Sequence, residues 1–180
     1  MRVSTTCGVE SLNYMEQQEM SIRPAFIIGF IITAIIMTTA LFFQYGLGLE
    51  PCPLCVLQRI VVMTLGAIFL IGLLHNPNNS LVRRLYGQIV ATASLAGLAV
   101  AGRHTWLQHL PADQAPECGA GLDYWIKTLP PSEVIEKIFQ GTGECAEVVW
   151  TFASFSIPEW SLVVFAGFFL YGIKLLIKGH

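Results

Sequence analysis

The stretch Glu50-Pro51-Cys52-Pro53-Leu54-Cys55-Val56-Leu57-Gln58-Arg59 decides how this chain is read. A polar, proline-marked bend becomes a run that stays apolar to Leu74, interrupted only by Gln58 and Arg59. From Cys55 to Leu74 there are 20 residues. A helix of that length, rising about 1.5 Å per residue, crosses the ~30 Å hydrocarbon core of a bilayer. Two thiols separated by two residues can close a strained, easily reduced disulfide, whereas cysteines buried for packing alone are inert. An arginine in lipid costs roughly 2.5–3.5 kcal/mol at mid-bilayer, so it usually has a task. Together these residues point to thiol–disulfide chemistry at a membrane surface.

Outward from this stretch the chain repeats its apolar theme. Its 180 residues are 54% hydrophobic and only 12% charged, where about 25% charged is usual for a soluble domain. Pro24–Leu49 carries no charge, Leu85–Gly102 is uncharged and rich in Ala and Gly, and Trp160–Ile177 is broken only by Lys174 near its end, within snorkelling reach of water. The expectation is an all-α membrane protein, a bundle of four transmembrane helices near 24–44, 55–74, 85–103 and 160–177. There is no basic surface fit for nucleic acid and no glycine-rich phosphate loop.

Charge sets the predicted orientation. Arg23, the Arg83-Arg84 pair and Lys174 with Lys178 flank the ends of the spans, and positive residues mark the cytoplasmic side. Both termini and the 75–84 turn are then cytoplasmic. The loop at Gly46–Pro51 and the long segment 106–159 lie outside, in the periplasm of a bacterium. Segment 106–159 holds eight carboxylates against Lys127 and Lys137, a net −6. All four tryptophans (Trp106, Trp125, Trp150 and Trp160) fall in or beside it, as an interfacial belt would require. A 54-residue connection should carry function or local structure. A short amphipathic helix is predicted near 132–140, capped by Ser132 and ended by Gly141, with Val134, Ile135, Ile138 and Phe139 as its apolar stripe. That stripe suits either the membrane interface or packing within the loop. The first apolar run is too long for a cleavable signal. A start at Met20 would leave the compact leader Met20-Ser21-Ile22-Arg23, and the residues leave both starts open. On either start, Cys7 lies in the cytoplasmic segment 1–23 without an evident partner.

The other four cysteines, Cys52, Cys55, Cys118 and Cys145, share the outer compartment, where disulfides form and persist. Cys55 falls in the first turn of its helix, where free amides and the helix dipole favour a thiolate. Arg59 sits on the same face about 6 Å deeper and stays protonated. Both make Cys55 a good leaving group, and the depth of Arg59 suits the polar head of a lipid-soluble molecule. The bland reading of Arg59 is snorkelling to the interface. Cys118 and Cys145 enclose 26 residues, and a lone disulfide there would ordinarily be structural. A zinc site from all four cysteines is conceivable, but the second pair is too widely spaced for a zinc half-site and the compartment favours oxidation. No metal is expected. Arg103 and His104 end the third span on the outer side; a histidine there is ordinarily an interfacial hydrogen-bonder, yet its depth matches Cys55 and Arg59.

These residues carry a resemblance to the DsbB family of bacterial disulfide-bond formation proteins, inner-membrane thiol–quinone oxidoreductases. The matching segments are Pro51–Arg59, then Arg103-His104-Thr105-Trp106-Leu107-Gln108, Glu117-Cys118-Gly119, Gly143-Glu144-Cys145-Ala146-Glu147 and Pro158-Glu159-Trp160. The resemblance covers roughly residues 20–178; the extension 1–19 with Cys7 departs from it. It implies that the chain reoxidises a soluble periplasmic DsbA-type dithiol oxidase and passes two electrons to a membrane quinone, ubiquinone ahead of menaquinone. Carried over by position, Cys118 forms the mixed disulfide with the partner and Cys145 resolves it. Cys52 exchanges with the loop pair, and Cys55 delivers electrons to the quinone through a thiolate–quinone charge-transfer contact. Arg59 and His104 bind or polarise the quinone. The resting pairs implied are Cys52–Cys55 and Cys118–Cys145, with Cys52–Cys145 as an intermediate, in a monomer. Three other readings fit less well. A scaffold stapled by inert disulfides has no reason to place Arg59 beneath a C-x-x-C, and a transporter would need buried carboxylates or broken helices. An enzyme of the vitamin K epoxide reductase kind shares the mechanism but not the cysteine order.

Overall fold

The computed structural model describes residues 23–111, 114, 116, 119 and 121–178. Cys7, Met20 and Cys118 lie outside those residues. Four long helices form an all-α membrane protein: α1 (Arg23–Gly46), α2 (Pro53–His75), α3 (Ser80–Gln108) and α7 (Ile157–Lys178). Each is long and apolar enough to cross a membrane. Three short helices, α4 (Leu122–Thr128), α5 (Pro131–Gln140) and α6 (Gly143–Ala146), and a two-stranded hairpin occupy the connection between α3 and α7. The hairpin, β1 (Thr151–Phe152) paired antiparallel with β2 (Phe155–Ser156), was not anticipated. Ala153 and Ser154 make its two-residue turn, both at positive φ, a geometry normally signalled by Asn or Gly.

Turn chemistry defines the helix ends. Cys52 is the N-cap of α2, its Sγ accepting from Cys55 N–H at 3.4 Å, and Pro53 follows at N1, where a missing N–H costs nothing. Asn76 closes α2 in the left-handed region, and Asn79 caps α3 through Leu81 N–H at 2.9 Å. Hydropathy alone delimited the third span more narrowly, at 85–103. The helix extends further in both directions because Asn79 starts it early and its last turn is sheltered by the loop, where Leu107 is buried.

In the bundle, α2 packs against both α1 and α3, while the broadest contact joins α3 to α7. Phe26, Phe69, Tyr86, Val90, Phe165 and Phe168 form the central core. Gly87 and Gly172 let α3 and α7 touch backbone to backbone. A Cβ on Gly172 would lie 2.7 Å from the Ala91 nitrogen and 2.9 Å from the Gly87 carbonyl oxygen. Small residues at such a crossing are the usual means of close approach in a membrane, where lipid removes the hydrophobic drive between helices. The outward faces stay apolar, with Ile28, Ile35, Ile71, Leu85 and Val163 exposed, as lipid contact requires.

The connection folds back onto one end of this bundle. Arg103 holds it there: its guanidinium donates to the Phe139 and Gln140 carbonyls at the end of α5, at 2.9 and 3.0 Å, and lies 4.3 Å over the Trp106 ring. Gly141, at φ 82°, then turns the chain so tightly against Leu107 that a Cβ would come within 2.4 Å of it. The cap of α5 is Pro130 with Pro131 at N1, so Ser132 lies inside the helix and does not cap it. The apolar stripe divides. Val134 is buried and Ile138 packs inward, while Ile135 and Phe139 stay exposed. Trp125 is also buried, at 7% exposure, and belongs to the packing of the loop, not to an interfacial belt.

Candidate active site

The N-cap of α2 begins the site. Cys52 caps the helix and Cys55 lies in its first turn, so the two cysteines of the motif pack together at the helix start. Cys52 is 7% exposed and packs with Leu54, Val100, Leu107 and Cys145. α6 brings Cys145 to this place, fully buried, with Thr142 Oγ1 3.7 Å from its sulfur. The sulfurs of Cys52 and Cys145 and a ring nitrogen of His104 lie within 4.8 Å of one another. Cys52, Cys55 and Cys145 are all free thiols.

His104 is 2% exposed, and its Nε2 lies 3.7 Å from Cys52 Sγ. Its Nδ1 accepts from Gln58 Nε2 at 3.1 Å, and Gln58 is itself buried. With Nδ1 accepting, Nε2 carries the proton and points it at the Cys52 sulfur. Gln58 is not among the candidate residues expected from the sequence, where it interrupts an apolar run within the Pro51–Arg59 segment. Its signal was available: it lies on the same helix face as Leu54 and, as a buried amide, must find a partner.

Cys55 packs against this cluster and also borders a second space. A cavity of about 630 Å³ opens between α1, α2, α7 and the hairpin, and Cys55, Gln58 and Arg59 are among its lining residues. Most of the wall is aliphatic or aromatic, including Ile36, Phe43, Trp150, Trp160 and Val164. Volumes of 300–1,000 Å³ with few placed polar groups are typical of small-molecule sites. Arg59 is not snorkelling: it donates to Gln44 Oε1 and, at 3.2 Å, to the Ala40 carbonyl of α1. Among the described residues its hydrogen-bond partners are these two neutral acceptors, and Glu50 also lines the cavity. The hairpin closes the outer edge, with Trp150 stacked on Phe152 at 6.1 Å and 5.0 Å from Phe43, and Trp160 Nε1 donating to the Phe152 carbonyl.

Arg59 and His104, both expected at the quinone, lie on different sides of α2, with Gln58 between the cavity and His104. His104 is not among the residues lining the cavity and turns instead to Cys52 and Cys145. The physical reason is register: His104 stands on α3, which packs on the face of α2 that carries Gln58, away from the α1 side reached by Arg59. Electrostatically, the adjoining Cys52 sulfur and burial both push the Cys145 thiol up from its ordinary value. A free Cys145 beside a reduced Cys52 therefore holds its proton more tightly than an ordinary thiol.

Comparison with known proteins agrees with this geometry. Residues 22–175 match the family described as DsbB, Disulfide bond formation protein DsbB. A "Disulfide bond formation protein B" of Chromohalobacter salexigens is 46% identical over 157 residues, covering 87% of this chain and 91% of that protein. Those of Psychrobacter arcticus and Nitrosococcus oceani are 50% and 44% identical, over 81% of this chain in each case and over 84% and 86% of their own lengths. With a match across nearly the whole described membrane domain and relatives this similar, the chain belongs to the DsbB family.

Proposed function

We propose that this chain is a thiol:quinone oxidoreductase of the bacterial inner membrane, reoxidising a periplasmic DsbA-type dithiol oxidase. One observation carries the reading: Cys52-Pro53-Leu54-Cys55 joins two chambers, its cysteines packed in one cluster but only Cys55 reaching the cavity. Cys52 meets Cys145 and His104, whereas Cys55 meets the apolar cavity beside Arg59. An inert structural disulfide has no need of that arrangement.

The cavity fits a quinone head. It is largely apolar, lies at the depth of the first α2 turns, and offers one fixed cation where a carbonyl oxygen would need one. A bound quinone supplies the sink, accepting two electrons and two protons. The protein's own residues do the rest. The partner's thiolate attacks Cys118 of a Cys118–Cys145 disulfide, which forms the mixed disulfide and releases Cys145. Cys145 then attacks Cys52 of the Cys52–Cys55 disulfide: the Cys52–Cys145 bond forms, the Cys52–Cys55 bond breaks, and Cys55 leaves as a thiolate facing Arg59. The two sulfurs stand within 4.8 Å, so closure to the ~2.05 Å of a disulfide needs only a side-chain adjustment. His104 manages protons at this exchange. Gln58 can serve either tautomer by turning its amide half a revolution. His104 can therefore give a proton to Cys52 or take one from Cys145 and keep its buried partner.

Orientation completes the proposal. Cys52, Cys55, Cys145, His104 and the described part of the acidic connection occupy one end of the bundle, and Arg23, Arg83, Arg84 and Lys174 the other; the positive end is assigned to the cytoplasm and the sulfur end to the periplasm. The test uses purified protein with a reduced DsbA-type partner and a soluble quinone, following quinone absorbance. The intact chain should turn over, and Cys55→Ser should reduce no quinone yet still trap the partner in a mixed disulfide. Undiminished turnover by Cys55→Ser would end this assignment.

A further inference from the structure

The triangle of Cys52, Cys145 and His104 has the chemistry of a chelator as well as of an exchange site. We propose that, when both cysteines are reduced, it binds a thiophilic divalent cation of the Zn²⁺ class and that the bound ion arrests the enzyme.

Donor type, spacing and charge support this. Zinc is held by thiolate and imidazole at about 2.3 and 2.0–2.1 Å, which puts neighbouring ligand atoms of a tetrahedron roughly 3.5–3.8 Å apart. Cys52 Sγ and His104 Nε2 are already 3.7 Å apart, and all three donor atoms fall within 4.8 Å. Contraction by about an ångström along one edge closes the site. The three donors are buried, and an ion carrying two positive charges is neutralised by two thiolates, so the complex enters this low-dielectric place without net charge. Leu54, Val100 and Leu107 pack against the two sulfurs, and one water supplies the fourth ligand, as at other zinc sites with three protein ligands.

Gln58 supplies the outer support such a site needs. Histidines that ligate metal through one nitrogen almost always donate the other N–H to an oxygen acceptor. A half-turn of the Gln58 amide places Oε1 where Nε2 now stands, 3.1 Å from His104 Nδ1, and frees Nε2 for the ion. Binding is a simple exchange of cations: the ion enters, the Cys52 and Cys145 thiols release two protons, and no electrons move. This differs from a four-cysteine structural site, because the donor atoms that converge are those of Cys52, His104 and Cys145, without Cys55. It is also closed to the oxidised chain, since a sulfur committed to a disulfide cannot ligate as a thiolate. The ion would therefore act only on the reduced protein, holding Cys145 and Cys52 together without letting a bond form. That arrest rests on the exchange proposed above; the binding does not.

The experiment uses the full chain in detergent, reduced and anaerobic, with Cys7→Ser and Cys118→Ser so that only the three described thiols remain. Titration with Co²⁺ should give one equivalent bound, with thiolate-to-cobalt charge-transfer absorption and tetrahedral d–d bands that Zn²⁺ abolishes. Cys145→Ser and His104→Ala should lose these bands, Cys55→Ser should keep them, and Gln58→Ala should weaken affinity by about 10–100-fold. Absence of the charge-transfer band, or its persistence in both Cys145→Ser and His104→Ala, overturns the site. In the unsubstituted protein, fully reduced before quinone is added, Zn²⁺ should block reoxidation and a chelator restore it. Metal binding without inhibition would support the site and refute the arrest. A chain that binds Co²⁺ as described but never oxidises a dithiol would leave the site standing and overturn the proposed function.

Discussion

His104 shows how one residue changes meaning once its neighbours are known. From the sequence its depth associates it with Arg59, but its ring is fixed between Gln58 and Cys52, and the sulfur it can assist belongs to the exchange pair. Beside it the Cys145 thiol is held up by the Cys52 sulfur and by burial. Its thiolate fraction is then small at neutral pH and grows about tenfold per pH unit below that raised value. With His104 present, a nearby base removes the proton on demand. His104→Ala should therefore slow the Cys145-to-Cys52 exchange by about 10²-fold at neutral pH. The loss should shrink as pH rises, because solvent takes over the deprotonation. Stopped-flow measurement of the exchange across a pH series checks this, and a pH-independent deficit would reduce His104 to a packing residue.

Among the elements, the contact of α3 with α7 is set by glycine. Gly172 meets backbone atoms of Ala91 and Gly87, groups that cannot move aside as a flexible side chain can, whereas Gly167 on the same helix faces open space. Gly172→Val should separate the helices and destabilise the protein by about 1–3 kcal/mol or more, the usual range for overpacking. Gly167→Ala should leave the melting temperature in detergent unchanged or slightly raised, through better helix propensity. Equal effects of the two substitutions would refute the close-contact account. The same pair of helices carries the site indirectly: α3 presents His104 and, through Arg103, anchors the end of α5, from which Gly141 leads the chain to Cys145. At the start of α7, Glu159 Oε2 accepts from Ser156 N–H at 2.6 Å, half of a capping box that joins the hairpin to the helix. The cavity wall and the loop sulfur are thus held by connections at opposite ends of one segment.

On the scale of the whole molecule, the fold sorts chemistry by depth and by side. Reoxidising a strongly oxidising dithiol catalyst is uphill without a better electron sink, each 30 mV of mismatch being worth about 1.4 kcal/mol for two electrons. A lipid-soluble acceptor meets that need only if one sulfur is accessible from the bilayer and another from water. Cys55 has the first position, on the apolar cavity; Cys145 is fully buried, so in the proposed relay the second falls to Cys118. The proposed orientation can be tested in intact cells with a membrane-impermeant thiol reagent. A cysteine introduced as Asn78→Cys, in the turn between α2 and α3, should resist labelling, and one introduced as Val149→Cys beside the hairpin should react. The reverse pattern would place the sulfurs in the cytosol and remove the proposed partner.

The sequence by itself determined the four apolar helices and their order, the helix near 132–140, and the position of Cys55 one turn above Arg59. These depend on composition, periodicity and the fixed rise of a helix, all local properties. It did not reveal the cap of α5, the hairpin turn of Ala153 and Ser154, or the burial of Trp125, where tertiary packing overrode local preference. Nor could it bring Cys145 to Cys52 or turn His104 away from the cavity, because those distances arise from how α3, α6 and the start of α2 meet. Spacing along a chain places residues on one helix face; only packing between helices decides which faces, and which sulfurs, come together.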